Sequence, residues 1–256
     1  MSSDRFGSMR FVITGAASGI GKATARRLVN EGASGLLVDR DEGVLELASE
    51  LASVTGRAIS GLVVDLTSRD AIGSIESTLA PDGRCVDVLV NCAGVGDPLN
   101  VIESDNETWD RVLDINLKSV FFVCQMMIRY MTERSSIVNV GSLAGLRVRP
   151  SGIAYAVSKA GIHQMTRGLA VSLAPNGVRV NAVAPGPIRT ELNRQRWSTA
   201  EGEQRMLQGV LTGELGAPED VADAIAFLAS PTSHLINGVV LPVDGGASIA
   251  GYSMDR

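Results

Sequence analysis

Tyr155 and Lys159 stand four residues apart, a spacing that places a phenol and an amine on one face of a helix. A phenol is a poor base near neutral pH because its reference pKa is about 10. A neighbouring ammonium stabilises the phenolate and moves that pKa toward the working range, which suits the pair to general acid–base catalysis. Ser142 lies thirteen residues before Tyr155, just after an apolar run, and offers a hydroxyl to the same chemistry. The Tyr–Lys spacing alone is common in helices, and it gains weight from a glycine-rich segment near the start of the chain.

Gly15, Gly19 and Gly21 follow the first apolar run and precede a helical pattern that begins near Ile20. Glycines there allow a tight turn and let a pyrophosphate approach the helix N-terminus, whose free N–H groups and dipole favour anions. The alternative is a turn that only packs a helix against a sheet, since a glycine-rich turn taken alone is weak evidence. In this strand–turn–helix setting we predict a dinucleotide site, with Ser18 and Ile20 among its residues.

Asp39 ends the second apolar run, about 20 residues past the glycines, where a carboxylate would bind ribose hydroxyls. A carboxylate at that point repels a 2′-phosphate, and Ser18 adds no positive charge to offset the repulsion. Arg40 is the complication, because a guanidinium beside the ribose can accommodate phosphate. We weigh Asp39 more heavily and predict NAD rather than NADP as the cofactor.

Short apolar runs alternate with amphipathic stretches along the whole chain. The apolar runs lie at 11–13, 36–38, 62–64, 86–90, 137–140, 178–183 and 239–243. The helical patterns lie near 20–31, 42–55, 68–79, 105–133, 152–174 and 218–229. Strands that are apolar on both faces and separated by helices indicate a parallel sheet covered on both sides. We therefore predict an α/β fold, a single doubly wound (Rossmann) domain over residues 1–256 with a seven-stranded parallel sheet and helices on both faces.

One long segment, residues 187–218, does not follow this alternation of strand and helix patterns and is rich in polar residues and glycine. In a doubly wound sheet it would lie over the carboxyl ends of the strands, where ligands bind. We interpret it as a substrate lid made of loop and helix. A variable surface excursion is an equal alternative at this point.

Composition excludes several other classes of protein. The chain has 256 residues, 45% of them hydrophobic, and a formal charge of −5 without a Lys/Arg run, which argues against nucleic-acid binding. No apolar stretch is long enough for a membrane span, and the N-terminus lacks the apolar region of a secretory signal. Cys85, Cys92 and Cys124 are odd in number and lack metal-ligand spacing, so we expect reduced thiols, a cytoplasmic protein and no metal site.

The glycine turn, the serine and the Tyr-x-x-x-Lys pair stand in the chain order typical of one family. Because it contains these motifs in this order, the sequence resembles the classical short-chain dehydrogenase/reductase family over nearly its whole length. Asn91-Cys-Ala-Gly94 is similar to the family's Asn-Asn-Ala-Gly, with Cys92 as a departure to which we assign a packing role. The resemblance implies further cofactor contacts at Asp65 beside Leu66, at Asn91, Ala93 and Gly94, and at Pro185, Gly186, Ile188 and Thr190, besides contacts from Tyr155 and Lys159.

The resemblance also implies the role of each catalytic residue. Interconverting a secondary alcohol and a ketone moves a hydride to or from nicotinamide and a proton to or from a side chain. Tyr155 would be the general acid–base, and Lys159 would lower its pKa and bind the nicotinamide ribose. Ser142 would donate to the substrate oxygen and stabilise its developing negative charge. Asn116 would hold a water that relays protons to the lysine, although a helix-kinking polar residue is its alternative role.

Three functional hypotheses remain open from the sequence. The first is an NAD(H)-dependent oxidoreductase acting on a small-molecule secondary alcohol or ketone. The second is an NADPH-dependent 3-oxoacyl-(acyl-carrier-protein) reductase, against which Asp39 and the lack of a basic residue in 174–177 argue. The third is a non-catalytic dinucleotide-binding scaffold, against which the complete catalytic set argues. A serine hydrolase is disfavoured because Ser142 lacks the second glycine of Gly-x-Ser-x-Gly and a paired histidine.

The remaining expectations concern association and the surroundings of the substrate. The helices near 105–133 and 152–174 hold more apolar residues than one sheet face needs, and the resemblance implies that they pair subunits into homodimers or homotetramers. Deeper burial against the sheet is the alternative. We interpret His163 and His234 as surface or packing residues, and Arg147 and Arg149 as solvated loop residues rather than substrate contacts.

Overall fold

Seven strands form one parallel sheet in this computed structural model, which describes residues 4–79, 85–148 and 150–250. The spatial order is β3-β2-β1-β4-β5-β6-β7, and every neighbouring pair is parallel. The strands are β1 Arg10–Thr14, β2 Ser34–Asp39, β3 Ile59–Val63, β4 Val88–Asn91, β5 Ser136–Val140, β6 Arg179–Pro185 and β7 Val240–Val243. The seven-stranded doubly wound sheet predicted from the alternating apolar runs is confirmed.

Helices cover both faces of the sheet. They are α1 Gly19–Asn30, α2 Gly43–Thr55, α3 Ala71–Leu79, α4 Asn106–Leu113, α5 Ser119–Met127, α6 Ile153–Leu173, α7 Arg194–Trp197, α8 Ala200–Leu207 and α9 Pro218–Ala229. Side chains of β1 alternate between two cores: Phe11 and Ile13 pack with α1, α2 and α9, whereas Val12 packs with α3, α5 and α6. A strand buried on both faces must be apolar at every position, which is why the sequence shows runs rather than alternation.

Two elements differ most from their predicted bounds. The edge strand β3 begins at Ile59, earlier than predicted, because the exposed Ser60 and the half-buried Gly61 pair with β2 although they form no apolar run. The helix predicted over 105–133 is interrupted by a π-helical turn, Asp114–Lys118, which joins α4 to α5. The segment 187–218 contains α7, α8 and a 3₁₀ turn at Glu191–Asn193, so both a loop and helices are present there.

The order of the strands reverses at β1, which pairs with β2 on one side and β4 on the other. The loops that follow β1 and β4 therefore diverge at the carboxyl edge of the sheet and leave a crevice, where ligands of doubly wound folds bind. Among the described residues, no helix is long and apolar enough to cross a bilayer.

Candidate active site

The turn after β1 brings three stretches of backbone together. Gly15 has φ of +67°, and a Cβ there would lie 2.6 Å from the Ala93 nitrogen in the loop after β4. A Cβ on Gly21 would lie 2.0 Å from the Gly15 carbonyl oxygen, so α1 rests directly on the turn. Only glycine fits both positions, because one needs a left-handed backbone and the other needs a close approach.

The N-terminus of α1 is left open toward the crevice. Ser18 occupies the N-cap with an extended backbone, and its side chain makes no capping hydrogen bond to the described residues. The first turn of α1 also contains no acidic residue. The first N–H groups of the helix are therefore available to an anion, and the helix dipole adds to their attraction.

Asp39, at the end of β2, is tied to the glycine turn. One carboxylate oxygen accepts a hydrogen bond from the Ala17 N–H at 2.9 Å, and the other accepts one from the Asp41 N–H at 3.1 Å. Asp39 and the exposed Arg40 both line a cavity in the crevice. Asp39 and Arg40, whose opposite charges favour NAD and NADP respectively, therefore lie next to each other on the wall of this cavity.

Asp65 follows β3 and lies across the same end of the crevice. Its Oδ1 accepts hydrogen bonds from the Thr67 N–H at 2.9 Å and the Thr67 hydroxyl at 2.7 Å. The backbone bond from Thr67, followed by the hydroxyl bond and a weaker attraction to Arg40, holds the pKa of Asp65 below its ordinary value. Asp65 therefore presents a carboxylate, a hydrogen-bond acceptor, at neutral pH.

Beyond β4, Thr14 fastens the loop that begins at Cys92. The Thr14 hydroxyl oxygen accepts hydrogen bonds from the Cys92 N–H at 3.2 Å and the Ala93 N–H at 3.4 Å. Cys92 packs at the border of one core and also lines the cavity. Burial raises the pKa of its thiol to about 12, so the sulfur stays protonated. A packing role for Cys92 is consistent with this environment, although its contact with the cavity was not foreseen.

Ser142, Tyr155 and Lys159 line a single cavity of about 360 Å³ together with the glycine turn. The Lys159 ammonium is buried, lies 5.8 Å from the centre of the Tyr155 ring and donates to the Val140 carbonyl at 2.8 Å. The Ser142 hydroxyl oxygen accepts from the Ala144 N–H at 3.1 Å at the start of a 3₁₀ turn, Leu143–Gly145. The structure therefore brings a phenol, an amine and a hydroxyl to the same cavity wall.

Asn116 lies behind this wall, in the π-helical turn. Its Oδ1 accepts from the Val95 N–H at 2.8 Å, and its Nδ2 donates to the Val95 carbonyl at 2.9 Å and the Ser158 hydroxyl at 3.1 Å. A Cβ on Gly94 would lie 3.2 Å from Asn116 Oδ1 and 3.5 Å from Lys159 Nζ. The asparagine amide thus fastens the loop after β4 beside the lysine, and its role in a proton relay stays a prediction.

Most of the predicted cofactor residues line the 360 Å³ cavity. They are Gly15, Ser18, Gly19, Ile20, Asp39, Arg40, Asp65, Leu66, Ala93, Gly94, Tyr155, Lys159, Pro185, Gly186, Ile188 and Thr190. Gly21 and Asn91 are not among the described residues that line it. Gly21 packs on the turn, and the buried Asn91 amide donates to Asn139 Oδ1 at 2.9 Å and to Cys124 Sγ at 3.3 Å.

A neighbouring cleft of about 670 Å³ shares Ser142 and Tyr155 with this cavity. Its outer wall comes from the segment 187–218, including Leu192, Arg196 and Met206. Trp197 steadies that segment by donating from its indole N–H to the Thr190 carbonyl and to Asn193 Oδ1, both at 3.1 Å. The position over the crevice fits the predicted lid, while opening and closing stay a prediction.

Two arginines precede Tyr155 in the sequence. Arg147 lines the 670 Å³ cleft, and its guanidinium donates to the Ala247 carbonyl. Arg149 lies outside the described residues. Arg147 is exposed, as expected of a solvated loop residue, and it also contacts the C-terminal part of the chain, which no local pattern signals.

His163 is a site neighbour that sequence reasoning placed only among packing or surface residues. The side chain is 2% exposed and lies beneath the Ser142 loop, where its Nε2 accepts from the Ser142 N–H at 3.4 Å. A Cβ on Gly141 would lie 2.2 Å from Nε2, so the glycine makes room for the ring. Burial, with smaller effects from the charges of Arg167 and Lys159, lowers the pKa of His163 to about 4, against a weaker opposing effect from the Gly145 backbone.

Comparison with known proteins gives one consistent family. A family profile described as Enoyl-(Acyl carrier protein) reductase matches residues 15–248. A 3-oxoacyl-(acyl-carrier-protein) reductase of Thermotoga maritima is 40% identical over 242 residues, which cover 93% of this chain and 97% of that protein. An NAD-dependent glycerol dehydrogenase of Listeria innocua is 37% identical, with 93% of each chain covered.

A solved structure is similar to this chain over nearly its whole length. The crystal structure of a putative 2-deoxy-D-gluconate 3-dehydrogenase from Agrobacterium tumefaciens with bound NADP superimposes with a TM-score of 0.84 at 29% identity. The match covers 96% of this chain and 99% of that one. The similarity therefore spans the sheet, both helical layers and the segment over the crevice.

Proposed function

The chain belongs to the short-chain dehydrogenase/reductase family, and we propose that it is an NAD(H)-dependent oxidoreductase that interconverts a secondary alcohol and a ketone. The observation that carries the proposal is the shared cavity: Ser142, Tyr155 and Lys159 line the same space as the glycine turn and Asp39. A dinucleotide lying in that space would end beside the proton-transferring groups.

The residues present fit such a cofactor. The glycine turn leaves space that a Cβ would fill, and the open N-terminus of α1 offers N–H groups to a pyrophosphate. Asp39 and Asp65 offer carboxylate acceptors at the end of the cavity away from Tyr155, for ribose hydroxyls and the adenine. Thr190 lies across the crevice, with its methyl carbon 3.7 Å from where a Cβ of Gly19 would be. We propose that the segment 187–218, which includes Thr190, acts as a lid over the crevice.

The protein's own residues supply proton transfer and orientation. When bound, the nicotinamide accepts or supplies the hydride. Tyr155 takes the proton of the alcohol oxygen during oxidation and returns it during reduction. Lys159, held by the Val140 carbonyl, keeps a positive charge beside the phenol and favours the phenolate electrostatically. Ser142 donates to the substrate oxygen and stabilises its developing charge.

Tyr155→Phe tests the assignment of the acid–base group. Loss of the hydroxyl should lower kcat by about 10²–10⁴-fold, the usual contribution of general acid–base catalysis, while the NADH dissociation constant changes little. Activity is measured on a panel of secondary alcohols and ketones, and NADH binding by fluorescence. Tyr130→Phe is the matched control, because Tyr130 bonds Glu76 at 3.1 Å and is not among the described residues of either cavity wall. Full activity of Tyr155→Phe would refute the assigned base.

The preference for NAD rests on Asp39. Its carboxylate stands where a 2′-phosphate would be repelled, and one relative is named as NAD-dependent. Asp39→Asn removes the charge and keeps an oxygen that can accept from the Ala17 N–H, so the turn should stay intact. The variant should bind NADPH about tenfold or more tightly than the wild type does, as expected from 1–2 kcal/mol of relieved repulsion. Dissociation constants for NADH and NADPH measure the effect.

A second candidate function is favoured by the Thermotoga maritima relative, a 3-oxoacyl-(acyl-carrier-protein) reductase. Arg40, exposed beside Asp39, is the residue that could receive a 2′-phosphate. If this candidate is right, the wild-type protein prefers NADPH, Arg40→Ala weakens NADPH binding selectively, and a 3-oxoacyl thioester is reduced faster than simple ketones. An NADH preference with unchanged NADPH affinity in Arg40→Ala would exclude it.

A further inference from the structure

Asp97 is a buried acid in the 670 Å³ cleft to which the proposed mechanism gives no task. Its side chain is among the buried polar groups at 5% exposure. Oδ1 accepts from the Leu99 N–H at 2.9 Å, which fixes the side chain on the loop after β4. Oδ2 is buried and has no hydrogen-bond partner among the residues that the structure describes.

An unpaired oxygen of this kind is unfavourable in the protein alone. Burying a polar group without a hydrogen bond costs roughly 1–3 kcal/mol, and more for a charged group. Asp97 lies on the wall of the same cleft as Ser142 and Tyr155. A substrate positioned beside those two side chains therefore also lies in the cleft that Asp97 lines. Because Oδ2 is closed to solvent in the structure, a small rotation of the carboxylate toward the cleft is needed for a donor on that substrate to satisfy it, while Oδ1 keeps its bond from the Leu99 N–H.

The donor must come from a part of the substrate that does not react. The reacting oxygen faces Tyr155 and Ser142, and both of those side chains already serve it in the proposed mechanism. The neighbouring wall includes Pro98 and Leu143, which supply apolar contact. The other acidic and amide side chains that line the cleft, those of Glu191, Asn193 and Gln195, are exposed or half-buried. Asp97 is therefore the buried acceptor that can distinguish a substrate with a second donor from one without it.

We propose that Asp97 is a specificity-determining residue that accepts a hydrogen bond from a second hydroxyl of the substrate. The substrate class is then a diol or polyol, or the corresponding hydroxyketone, rather than a simple alcohol. This inference rests on the proposed alcohol–ketone chemistry for its orientation, and it concerns recognition rather than the chemical step. A site built to bond a hydroxyl rejects the analogue that lacks it, because the buried acceptor is then left unpaired.

The test compares substrates that differ at one position. The probes are 2-butanol, 2,3-butanediol and 3-amino-2-butanol, with cyclohexanol and 1,3-cyclohexanediol to vary the spacing. The wild type should show kcat/KM at least about tenfold higher for the diols, the value of one buried hydrogen bond. Asp97→Leu keeps a similar side-chain shape but offers no hydrogen-bonding atom to a second hydroxyl, so the diol advantage should vanish with little change for the simple alcohols.

Asp105→Leu is the matched control, because this exposed acid also accepts from a backbone N–H, that of Thr108 at 2.7 Å, and is not among the described residues of the cleft. It should keep the diol advantage. A preference for the amino alcohol over the diol would overturn the choice of hydroxyl, and equal diol preference in the wild type and Asp97→Leu would overturn the role of Asp97.

A binding measurement separates this inference from the proposed function. Diols and simple alcohols are titrated into the NADH-loaded protein, and the change in NADH fluorescence is followed. Diol binding that depends on Asp97, without turnover of any alcohol, would support the subsite and count against the proposed reaction. Turnover of simple alcohols without any diol preference would do the reverse.

Discussion

Individual side chains in this site are arranged so that neutral and charged groups have distinct tasks. The Lys159 side chain is held beside Tyr155 because its amine donates a hydrogen bond of 2.8 Å to the Val140 carbonyl. His163, beneath the Ser142 loop, is held in the opposite state: burial lowers its pKa to about 4, so the ring is neutral at physiological pH. The unprotonated nitrogen of a neutral imidazole can accept a hydrogen bond from the Ser142 N–H, whereas both nitrogens of an imidazolium are donors.

His163 should make the fold sensitive to acid. Its folded pKa of about 4 lies below the ordinary 6.5, so between these values the unfolded chain binds a proton that the folded chain does not. Stability should therefore fall as pH drops from about 6.5 to 4, by up to roughly 3 kcal/mol from this group. Urea unfolding at several pH values measures the slope.

The two histidines of the chain allow a controlled comparison. His163→Gln removes the titrating group and should flatten the loss of stability in that pH window. His234→Gln removes an exposed histidine and should leave the slope as in the wild type. An unchanged acid slope in His163→Gln would show that other groups account for it.

At the scale of elements, the site depends on how closely α1 approaches the turn after β1. The Gly15 carbonyl occupies the place where a side chain of Gly21 would begin, and Gly15 itself touches the loop after β4. A change at either glycine therefore moves the helix N-terminus relative to the crevice. Cofactor affinity should report that displacement more directly than global stability does.

Gly21→Ala should weaken NADH binding. A Cβ placed 2.0 Å from the Gly15 carbonyl oxygen forces the turn and helix apart. Overpacking of this kind costs about 1–3 kcal/mol, and if the loss falls on the bound state it raises the NADH dissociation constant by roughly 5–150-fold. Fluorescence titration gives the constant.

Gly168→Ala is the matched control. Gly168 lies within α6, away from the turn, and a Cβ there would meet nothing within 4 Å. This substitution should leave NADH affinity unchanged and raise the free energy of unfolding by about 0.5–1 kcal/mol, since alanine favours a helix interior over glycine. Equal NADH affinities in the wild type and both variants would contradict the proposed role of the turn.

At the scale of the whole molecule, the surface of α5 and α6 bears on association. Part of the apolar excess predicted on these helices is explained by burial within the chain, because Val120, Met126, Met127 and Ile162 lie in the core. Phe121 and Phe122 are each 43% exposed and form an edge-to-face pair with centroids 5.4 Å apart. Exposed paired aromatics are typical of protein–protein interfaces.

We therefore expect the wild-type protein to sediment as a homodimer or homotetramer at micromolar concentration. Phe121→Glu should shift the population toward monomer, because a charge would have to be buried in the contact. Val54→Glu is the control, since Val54 is 77% exposed on α2. A monomeric wild type, or equal dissociation in both variants, would argue against an interface through α5.

The amino-acid sequence by itself determined the parallel sheet, the order of its elements and the family. These features depend on local periodicity and on short spacings, such as glycines at a strand–helix junction and four residues between Tyr155 and Lys159. The start of the edge strand β3 at Ile59 and the π-helical turn escaped prediction, because the exposed and half-buried residues 59–61 give no apolar run and a single extra residue per turn leaves the helical pattern intact.

Only the tertiary structure decided how side chains distant in sequence share space. It placed His163 under Ser142, separated by 21 residues, and turned the Asn91 amide toward Asn139 rather than the cavity. It also left Asp97 Oδ2 buried without a partner among the described residues. Such relations arise from strand register and from the crossing of α6 over β5 and β6, which combine contributions from the whole chain and have no signature in any one segment.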